Sequence, residues 1–211
     1  QIAVTSKIMK LLFIGETWQG SSARSMREAM HQLPDVVIDE VGEDHYLPKH
    51  RGLALRACNR LLRPMHMAEL DREIRARLER FKPDIIVIYK GFGVSSKLLQ
   101  DMAGDGYPLV NIFPDQSPHL HGDRLKECMG RYDLVISTKP FHPANWQAPY
   151  GYTNKCVCVP HGYDPQVHYW ADPPANPDLD VVIAATWRLE YHQLMLDFAA
   201  CLNDDSVRVG V

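Results

Sequence analysis

Short apolar runs alternate along the chain with segments in which apolar residues recur at helical spacing. The clearest strand is Asp84–Tyr89, because it holds five consecutive apolar residues that are mostly β-branched, as expected when both faces of a strand are covered. Further strands are predicted from the same short pattern at Lys10–Gly15, Asp35–Glu40, Leu109–Phe113, Asp133–Thr138 and Lys155–Val159. Six such strands separated by helical segments are typical of a parallel sheet.

The helical segments lie between these strands. Ser21 offers an N-cap hydroxyl for a helix that runs to about Leu33. After a polar stretch through Arg51, a weak helical pattern covers Leu53–Leu62, and a clear one runs from Met67 to Phe81. Further helices are predicted at Val94–Met102, Asp123–Gly130 and near His142–Tyr150. We therefore predict a doubly wound, Rossmann-like α/β fold with helices on both faces and ligand sites after the strands' carboxyl ends.

The composition changes after the last of these strands. Residues Asp164–Asp178 hold four prolines in fifteen residues and show no periodicity, so they are predicted to link two domains. Beyond them a strand at Asp180–Ala185, a helix at Arg188–Leu202 and a strand at Val207–Val211 are predicted. We predict a first domain over residues 8–163, a linker over 164–178 and the start of a second Rossmann-like domain over 179–211. A lone β-α-β unit cannot bury its own faces, so these last elements could also join the first sheet.

Charge and composition narrow the range of functions. The chain has 211 residues, and 23 basic against 26 acidic residues give a net charge of −3, too balanced for an electrostatic nucleic-acid binder. No apolar run approaches the roughly 20 residues of a membrane span, and a secretory leader pattern is lacking. Five cysteines without a C-x-x-C pair give no disulfide framework. We therefore expect a cytoplasmic protein without a membrane span.

The first loop after a strand is a candidate anion site. Gly20, Ser21 and Ser22 stand where free N–H groups of a helix N-terminus and two hydroxyls would face a ligand. The loop matches neither the dinucleotide nor the P-loop glycine pattern. A capped helix after a tight turn also explains these residues, so both interpretations stay open.

Three further loops carry candidate chemistry. Lys90, between the cleanest strand and two nearby glycines, can meet a phosphate or carboxylate, or can be a solvated turn residue. Asp115 and His119 lie in the densest polar loop and are suitable for acid–base work, although a proline-stabilised loop with surface histidines would also explain them. His119 and His121 form an H-x-H pair, but no second ligand cluster accompanies it, so we expect neither a metal nor a cofactor. His161 follows the sixth strand in a Pro-His-Gly turn and can equally be a structural histidine.

The segment Pro160–Pro165 (PHGYDP), followed by a fresh strand–helix–strand, resembles the P-[NH]-G-x-D interdomain motif of two-domain GT-B glycosyltransferases. Tyr132–Lys139 (YDLVISTK) is also similar to a segment of that fold. Together with Lys10–Gly15, the Gly20–Ser22 loop and the loop that begins at Asn111, the similarity is closest to the CgeB / spore-maturation-protein-like group. The resemblance covers the first domain and the opening of the second.

The resemblance implies transfer of a sugar from a nucleotide-sugar donor to an acceptor, which can be a saccharide, a protein or a small molecule. On the acceptor side it points to Gly20, Ser21, Ser22, Asp115 and His161. On the donor side, Thr186, Trp187 and Arg188 match the loop where a basic residue meets the diphosphate, to which an arginine can donate two hydrogen bonds.

Such enzymes work without a metal. If the reaction inverts the anomeric configuration, Asp115 or His119 is the expected base; if it retains the configuration, no base is needed. Most of the donor domain would lie beyond Val211, so the chain alone is expected to be inactive. The alternative function is a non-catalytic Rossmann-like ligand-binding or regulatory module. An NAD-linked oxidoreductase is disfavoured because its glycine pattern is lacking.

Overall fold

The computed structural model describes residues 7–47, 52–117, 123–145, 156–168, 178, 180–182, 192–202 and 209–210. The chain divides into two compact units, Gln1–Tyr163 and Asp164–Val211. No helix among the described residues has both the length and the apolar character that crossing a bilayer requires.

A six-stranded parallel sheet forms the centre of the first unit. Its strands are β1 (Met9–Gly15), β2 (Val36–Gly42), β3 (Ile85–Tyr89), β4 (Leu109–Phe113), β5 (Leu134–Ser137) and β6 (Cys156–Cys158). The spatial order is β2-β1-β3-β4-β5-β6, with every pair parallel. The predicted parallel α/β sheet is therefore confirmed. Because the chain runs outward from β1 to β2 and then returns past β1 to β3, the strand order reverses between β1 and β3.

Helices cover both faces of the sheet. The helices of this unit are α1 (Ser22–Met30), α2 (Glu43–Tyr46), α3 (Leu53–Phe81), α4 (Ser96–Gly104), α5 (Asp123–Met129) and α6 (His142–Asn145). Ala23 of α1 packs with alternate residues of β1, β3 and β4 on one face. Buried residues of α3, α4 and α5 pack on the other face, where they form the larger core cluster. Crossovers between parallel strands are right-handed as a rule, so connections that leave β1 in opposite directions place their helices on opposite faces.

Helix α3 corrects the prediction of two separate helices. It runs without a break for 29 residues and contains Pro64 in its interior. No glycine interrupts the segment from Leu53 to Phe81. Proline removes the hydrogen bond to the carbonyl of Arg60, but Arg60 is exposed, so water can reach that carbonyl. The helix ends at Lys82, which adopts a left-handed conformation with a φ of 50°, immediately before Pro83.

Helix α2 lies within the segment that the sequence analysis described only as a polar stretch. The helix has only four residues, so it lacks the two turns over which an apolar periodicity becomes visible in a sequence. It begins directly after β2 with Glu43 and Asp44 in its first turn, where acidic residues favour a helix N-terminus.

The second unit contains a parallel pair of strands. These are β7 (Val181–Val182) and β8 (Val209–Gly210), with α7 (His192–Cys201) between them in the chain. This is the connectivity predicted for a β-α-β unit. Of the predicted linker, the structure describes Asp164–His168 as a turn in which the Asp164 carboxylate accepts from the Gln166 N–H at 2.9 Å. Residues 169–177 lie outside the described part.

The five cysteines are free thiols, two of them on β6. Cys156 is half-buried and Cys158 is exposed. Burial, with a smaller contribution from Cys158, raises the pKa of Cys156 to about 11. A thiol with so high a pKa is a poor nucleophile near neutral pH, so Cys156 is a packing residue.

Candidate functional site

The candidate site lies at the carboxyl ends of β1, β3 and β4. In open parallel sheets ligands bind where the strand order reverses, outside the carboxyl ends of the strands. Here that position is between β1 and β3. The loops that follow these strands carry Ser22, Lys90 and Asp115, three of the residues selected from the sequence.

The loop after β1 is shaped by Gly20 and Ser21. Gly20 has a φ of 90°, which a residue with a side chain rarely adopts. Ser21 is buried, and its hydroxyl accepts a hydrogen bond from the Ala23 N–H at 3.2 Å, so it is the N-cap of α1. Ser21 also donates to the Glu16 carboxylate at 3.4 Å. Both residues therefore have the local structural role that the sequence allowed, and their contact with a ligand stays a prediction.

Ser22 is connected to the end of β3 through Tyr89. The Tyr89 hydroxyl donates a hydrogen bond to Ser22 Oγ at 2.6 Å. Tyr89 is buried, and this burial raises its pKa, as do the nearby carboxylates of Asp115 and Glu16. Tyr89 therefore lies among Ser22, Glu16 and Asp115 as a neutral hydroxyl. The sequence did not single out Tyr89, because its aromatic ring completes the apolar pattern of the strand.

Lys90 has a backbone conformation that is unfavourable for a residue with a side chain. Its φ is 61°, and the Gly91 N–H donates to the Tyr89 carbonyl at 2.7 Å, which closes a three-residue γ-turn with Lys90 at its centre. The Asn111 side-chain amide donates to the Lys90 carbonyl at 3.3 Å and so stabilises the turn. Such strain costs about 1–3 kcal/mol and persists where the surroundings enforce it, commonly at functional sites.

This turn directs the Lys90 side chain toward Asp115. Lys90 Nζ lies 3.2 Å from Asp115 Oδ1 and 5.5 Å from the centroid of the Phe92 ring. Both side chains of the ion pair are partly buried. Gly91 is required beside it, because its φ is 83° and an added Cβ would lie 2.9 Å from the Tyr132 hydroxyl. The structure thus brings Lys90 and Asp115 together, although they are 25 positions apart in the sequence.

A buried histidine fixes the loop that carries Asp115. His142 Nε2 donates to the Gln116 carbonyl at 2.8 Å, so His142 Nδ1 accepts from the Ser137 hydroxyl at 2.5 Å. The Ser137 hydroxyl in turn accepts from the Lys139 N–H at 3.0 Å. Burial is the largest influence on His142 and lowers its pKa, so the neutral ring is the form that holds these contacts. This histidine was missed because it stands at the start of α6, away from the polar loop in the sequence.

A second polar cluster lies at the ends of β1 and β2. The Thr17 N–H and hydroxyl donate to the Asp44 carboxylate at 2.7 and 3.1 Å, and the hydroxyl lies 3.2 Å from His45 Nε2. The neighbouring Glu43 is buried and accepts from the Gly93 N–H at 3.2 Å. Glu43 therefore ties the loop after β3 to α2. The sequence did not indicate this cluster, because α2 is too short to show an apolar periodicity.

The remaining selected residues lie elsewhere. His161 is exposed near the end of the first unit. His119, Thr186 and Arg188 lie outside the described residues, as does the H-x-H pair. Within the described part of the chain, no group of three histidine, cysteine or acidic side chains is placed to hold a metal ion. The roles assigned to all these residues stay predictions.

Comparison with known proteins gives only distant matches. No protein-family model matches the sequence, and no curated protein matches it. A UDP-glucosyltransferase from Polygonum tinctorium, capable of glucosylating indoxyl, aligns at 11% identity over 84% of this chain and 59% of its own, with a TM-score of 0.45. UGT2 of Phytolacca americana, complexed with UDP-2fluoro-glucose and pterostilbene, aligns at 9% identity over 83% and 59%, with a TM-score of 0.45.

This chain thus spans less than two thirds of the length of these solved structures. The sequence identities are near one tenth and the TM-scores are below 0.5. The fold class is therefore assigned from the hydrogen-bonded sheet and not from these matches.

Proposed function

We propose that the chain is the acceptor-side part of a GT-B glycosyltransferase, nearest by sequence to the CgeB / spore-maturation-protein-like group. The observation that carries the proposal is the succession of two parallel α/β units. The first unit ends at Tyr163, inside the PHGYDP segment, and a new parallel strand pair with its helix follows. A GT-B enzyme needs such a tandem, since acceptor and donor bind to different units.

The acceptor site in this proposal is the cluster of Ser22, Tyr89, Lys90 and Asp115. Hydroxyl groups and one ion pair suit a ligand that offers hydroxyl groups of its own. The Gly20–Ser22 loop and His161 complete the proposed acceptor side. His142 holds the loop that carries Asp115, so the Asp115 carboxylate would stay in place as the acceptor binds.

The proposed reaction is displacement at the anomeric carbon of the donor sugar. In the inverting case Asp115 accepts the proton of an acceptor hydroxyl while that oxygen forms the new bond to the anomeric carbon. The bond between that carbon and the diphosphate oxygen breaks, and the electron pair leaves with the nucleoside diphosphate. His119 is the alternative base.

The donor side rests on Thr186 and Arg188. A diphosphate leaving group develops negative charge, which an arginine and helix N–H groups stabilise without a metal. We therefore expect a nucleotide-sugar substrate and no bound cofactor.

Ligand-induced thermal stabilisation of the full-length protein tests the proposal. UDP- or GDP-sugars should raise the melting temperature, and NAD should not, because a ligand stabilises only the folded state that binds it. Arg188→Ala should abolish the effect. Arg80→Ala, which removes an exposed arginine of the first unit, is the control and should preserve it.

Stabilisation by NAD and not by any nucleotide-sugar would contradict the proposal. Stabilisation by a nucleotide-sugar that is never consumed would favour the second candidate, a non-catalytic ligand-binding module.

A further inference from the structure

The half-buried basic side chains of the first unit pair with carboxylates, with one exception. Charged groups that are partly withdrawn from water are usually paired with an opposite charge. In the described part of the chain, the half-buried basic residues are Arg24, Arg27, Arg77, Lys90 and Lys139. The first four each form an ion pair with an aspartate or a glutamate. Lys139 forms no ion pair with any described residue, so its ammonium group is left to bind something else.

The backbone at Lys139 is fixed on both sides. The Lys139 N–H donates to the Ser137 hydroxyl at 3.0 Å, and the Lys139 carbonyl accepts from the His142 N–H at 3.2 Å. Pro140 follows and disfavours a helical conformation at the residue before it. The side chain therefore starts from a fixed point, and only its own rotations have to be restricted when it binds a ligand.

Lys139 lies at the carboxyl end of the sheet, beside the loop that carries Asp115. It follows β5, which pairs with β4, and the neighbouring Thr138 hydroxyl donates to a carbonyl of the loop after β4 at 3.0 Å. Burial is the largest influence that lowers the pKa of His142, and the Lys139 ammonium lowers that pKa as well, so the ammonium is close to the ring. The same ring holds the loop of Asp115. Lys139 is therefore a neighbour of the candidate site.

Charge is distributed unevenly along this end of the sheet. Glu16 and Asp44 follow β1 and β2, on one side of the candidate site. The pair of Lys90 and Asp115 after β3 and β4 is neutral as a whole. Lys139 follows β5 on the other side and adds a positive charge. A ligand with an anionic group would therefore be oriented with that group toward β5, because opposite charges attract.

We propose that Lys139 binds an anionic group, a phosphate or a carboxylate, of the ligand that occupies the carboxyl end of the sheet. Lysine binds phosphate as a compact point charge on a flexible stem. The ligand would lie across the sheet, with hydroxyl groups at Asp115 and the anionic group at Lys139. This proposal rests on the proposed function only for the position of the ligand. The anionic group belongs either to a charged acceptor or to the diphosphate of the donor.

Calorimetric titration of the full-length protein with two anionic probes tests the proposal. Pyrophosphate represents the donor diphosphate, glucose 6-phosphate represents a charged acceptor, and glucose is the neutral probe. At least one anionic probe should bind at least about tenfold more tightly than glucose. Lys139→Gln should weaken the binding of that probe at least about tenfold, and Lys139→Arg, which keeps the charge, should stay within about threefold of the parent.

Lys82→Gln is the matched control, because it removes one exposed lysine at the amino end of the sheet. It should bind both anionic probes like the parent protein. Lys139 is only half-buried, so circular dichroism should show the parent spectrum in all three variants.

Equal binding of the anionic probe by the parent and by Lys139→Gln would overturn the proposal, as would the absence of binding by both anionic probes. A loss of stability in Lys139→Gln without a loss of binding would overturn it too, because the lysine would then act through the packing of its aliphatic stem. A response to pyrophosphate identifies the donor as the source of the anionic group, and a response to glucose 6-phosphate alone identifies the acceptor.

The two proposals fail separately. Stabilisation by a nucleotide-sugar that is the same in the parent and in Lys139→Gln would leave sugar transfer in place and remove the role of Lys139. Binding of an anionic probe that depends on Lys139, in a protein that no nucleotide-sugar stabilises, would leave the anion site in place and remove sugar transfer.

Discussion

The two ends of the six-stranded sheet use polar side chains in different ways. At the amino end, Asp84 accepts from the Lys10 N–H at 2.9 Å, and Asp133 accepts from the Leu109 N–H at 2.8 Å. Each carboxylate pairs with a backbone N–H at the start of a strand. The Lys10 N–H is the largest influence on Asp84 and lowers its pKa, followed by the Lys7 ammonium. These acids hold strands in place.

At the carboxyl end, polar side chains also contact one another from one loop to the next. Tyr89 bonds to Ser22, and Lys90 pairs with Asp115 across two loops. The strained turn at Lys90 and the hydrogen bond from buried His142 to the Gln116 carbonyl keep the two loops in position. The carboxylates of Asp84 and Asp133 therefore hold the starts of strands, whereas the Lys90–Asp115 pair joins two loops beside a strained turn, which makes it a candidate for binding a ligand.

We expect the largest change in stability from replacing a glycine at the carboxyl end of the sheet, and a glycine at the amino end serves as its control. An added Cβ at Gly93, in the loop after β3, would lie 2.6 Å from side-chain atoms of Leu47 and Leu70. At Gly104, the last residue of α4, nothing lies within 4 Å. Gly93→Ala should lower the free energy of unfolding by about 2 kcal/mol, and Gly104→Ala should leave it equal or raise it by up to about 1 kcal/mol. Chemical denaturation measures both, and equal values would contradict the close packing of the carboxyl end.

The next prediction concerns pH and His142. Burial lowers the folded-state pKa of His142, so the folded protein binds fewer protons there than the unfolded chain. Its contribution to stability is complete above the unfolded pKa of about 6.5 and is lost as the pH falls toward the folded value. The free energy of unfolding should therefore decrease from pH 7 to pH 5 by less in His142→Gln than in the parent.

His31→Gln is the control for this pH dependence, because His31 is exposed. It should show the decrease of the parent protein. A decrease that is unchanged in His142→Gln would show that the ring is not the buried neutral group described here.

We expect the smallest change in stability from replacing either of two lysines that have a positive φ. Lys82 has a φ of 50° at the amino end, and Lys90 has a φ of 61° at the carboxyl end. Glycine adopts this conformation without steric cost, so each Lys→Gly change should raise the free energy of unfolding by up to about 1 kcal/mol. Only Lys90→Gly should weaken ligand binding, because only that lysine pairs with Asp115. Equal binding by the two variants would remove Lys90 from the site.

Much of the sheet could be predicted from the sequence, because the central strands β1, β3 and β4 are buried on both faces over most of their length. Leu109–Phe113 was predicted with its observed bounds, and the N-cap Ser21 was recognised from its hydroxyl beside a helical pattern. Helix α3 was split in the prediction because its two halves present apolar stripes in different phases. The periodicity of a sequence indicates which side of a helix is apolar. That side can change along one continuous helix, so a change in the pattern does not mean that the helix ends.

The candidate site could be predicted only in part. Lys90 and Asp115 follow clear strands in polar loops, so their residue types were visible. Their pairing depends on the left-handed conformation of Lys90, which no local sequence pattern predicts. Tyr89 was counted as part of an apolar strand, and His142 acts through the Gln116 carbonyl, a backbone atom that any residue could supply.

Turnover of a nucleotide-sugar by two matched aspartate variants is the decisive test of the proposed site. Asp115→Asn and Asp84→Asn each remove one carboxylate, at the carboxyl and the amino end of the sheet respectively. In the full-length protein, release of nucleoside diphosphate in the presence of acceptor should fall at least about 100-fold in Asp115→Asn and stay near the parent rate in Asp84→Asn. An Asp115→Asn rate equal to that of the parent would contradict the assignment of Asp115 as the catalytic base.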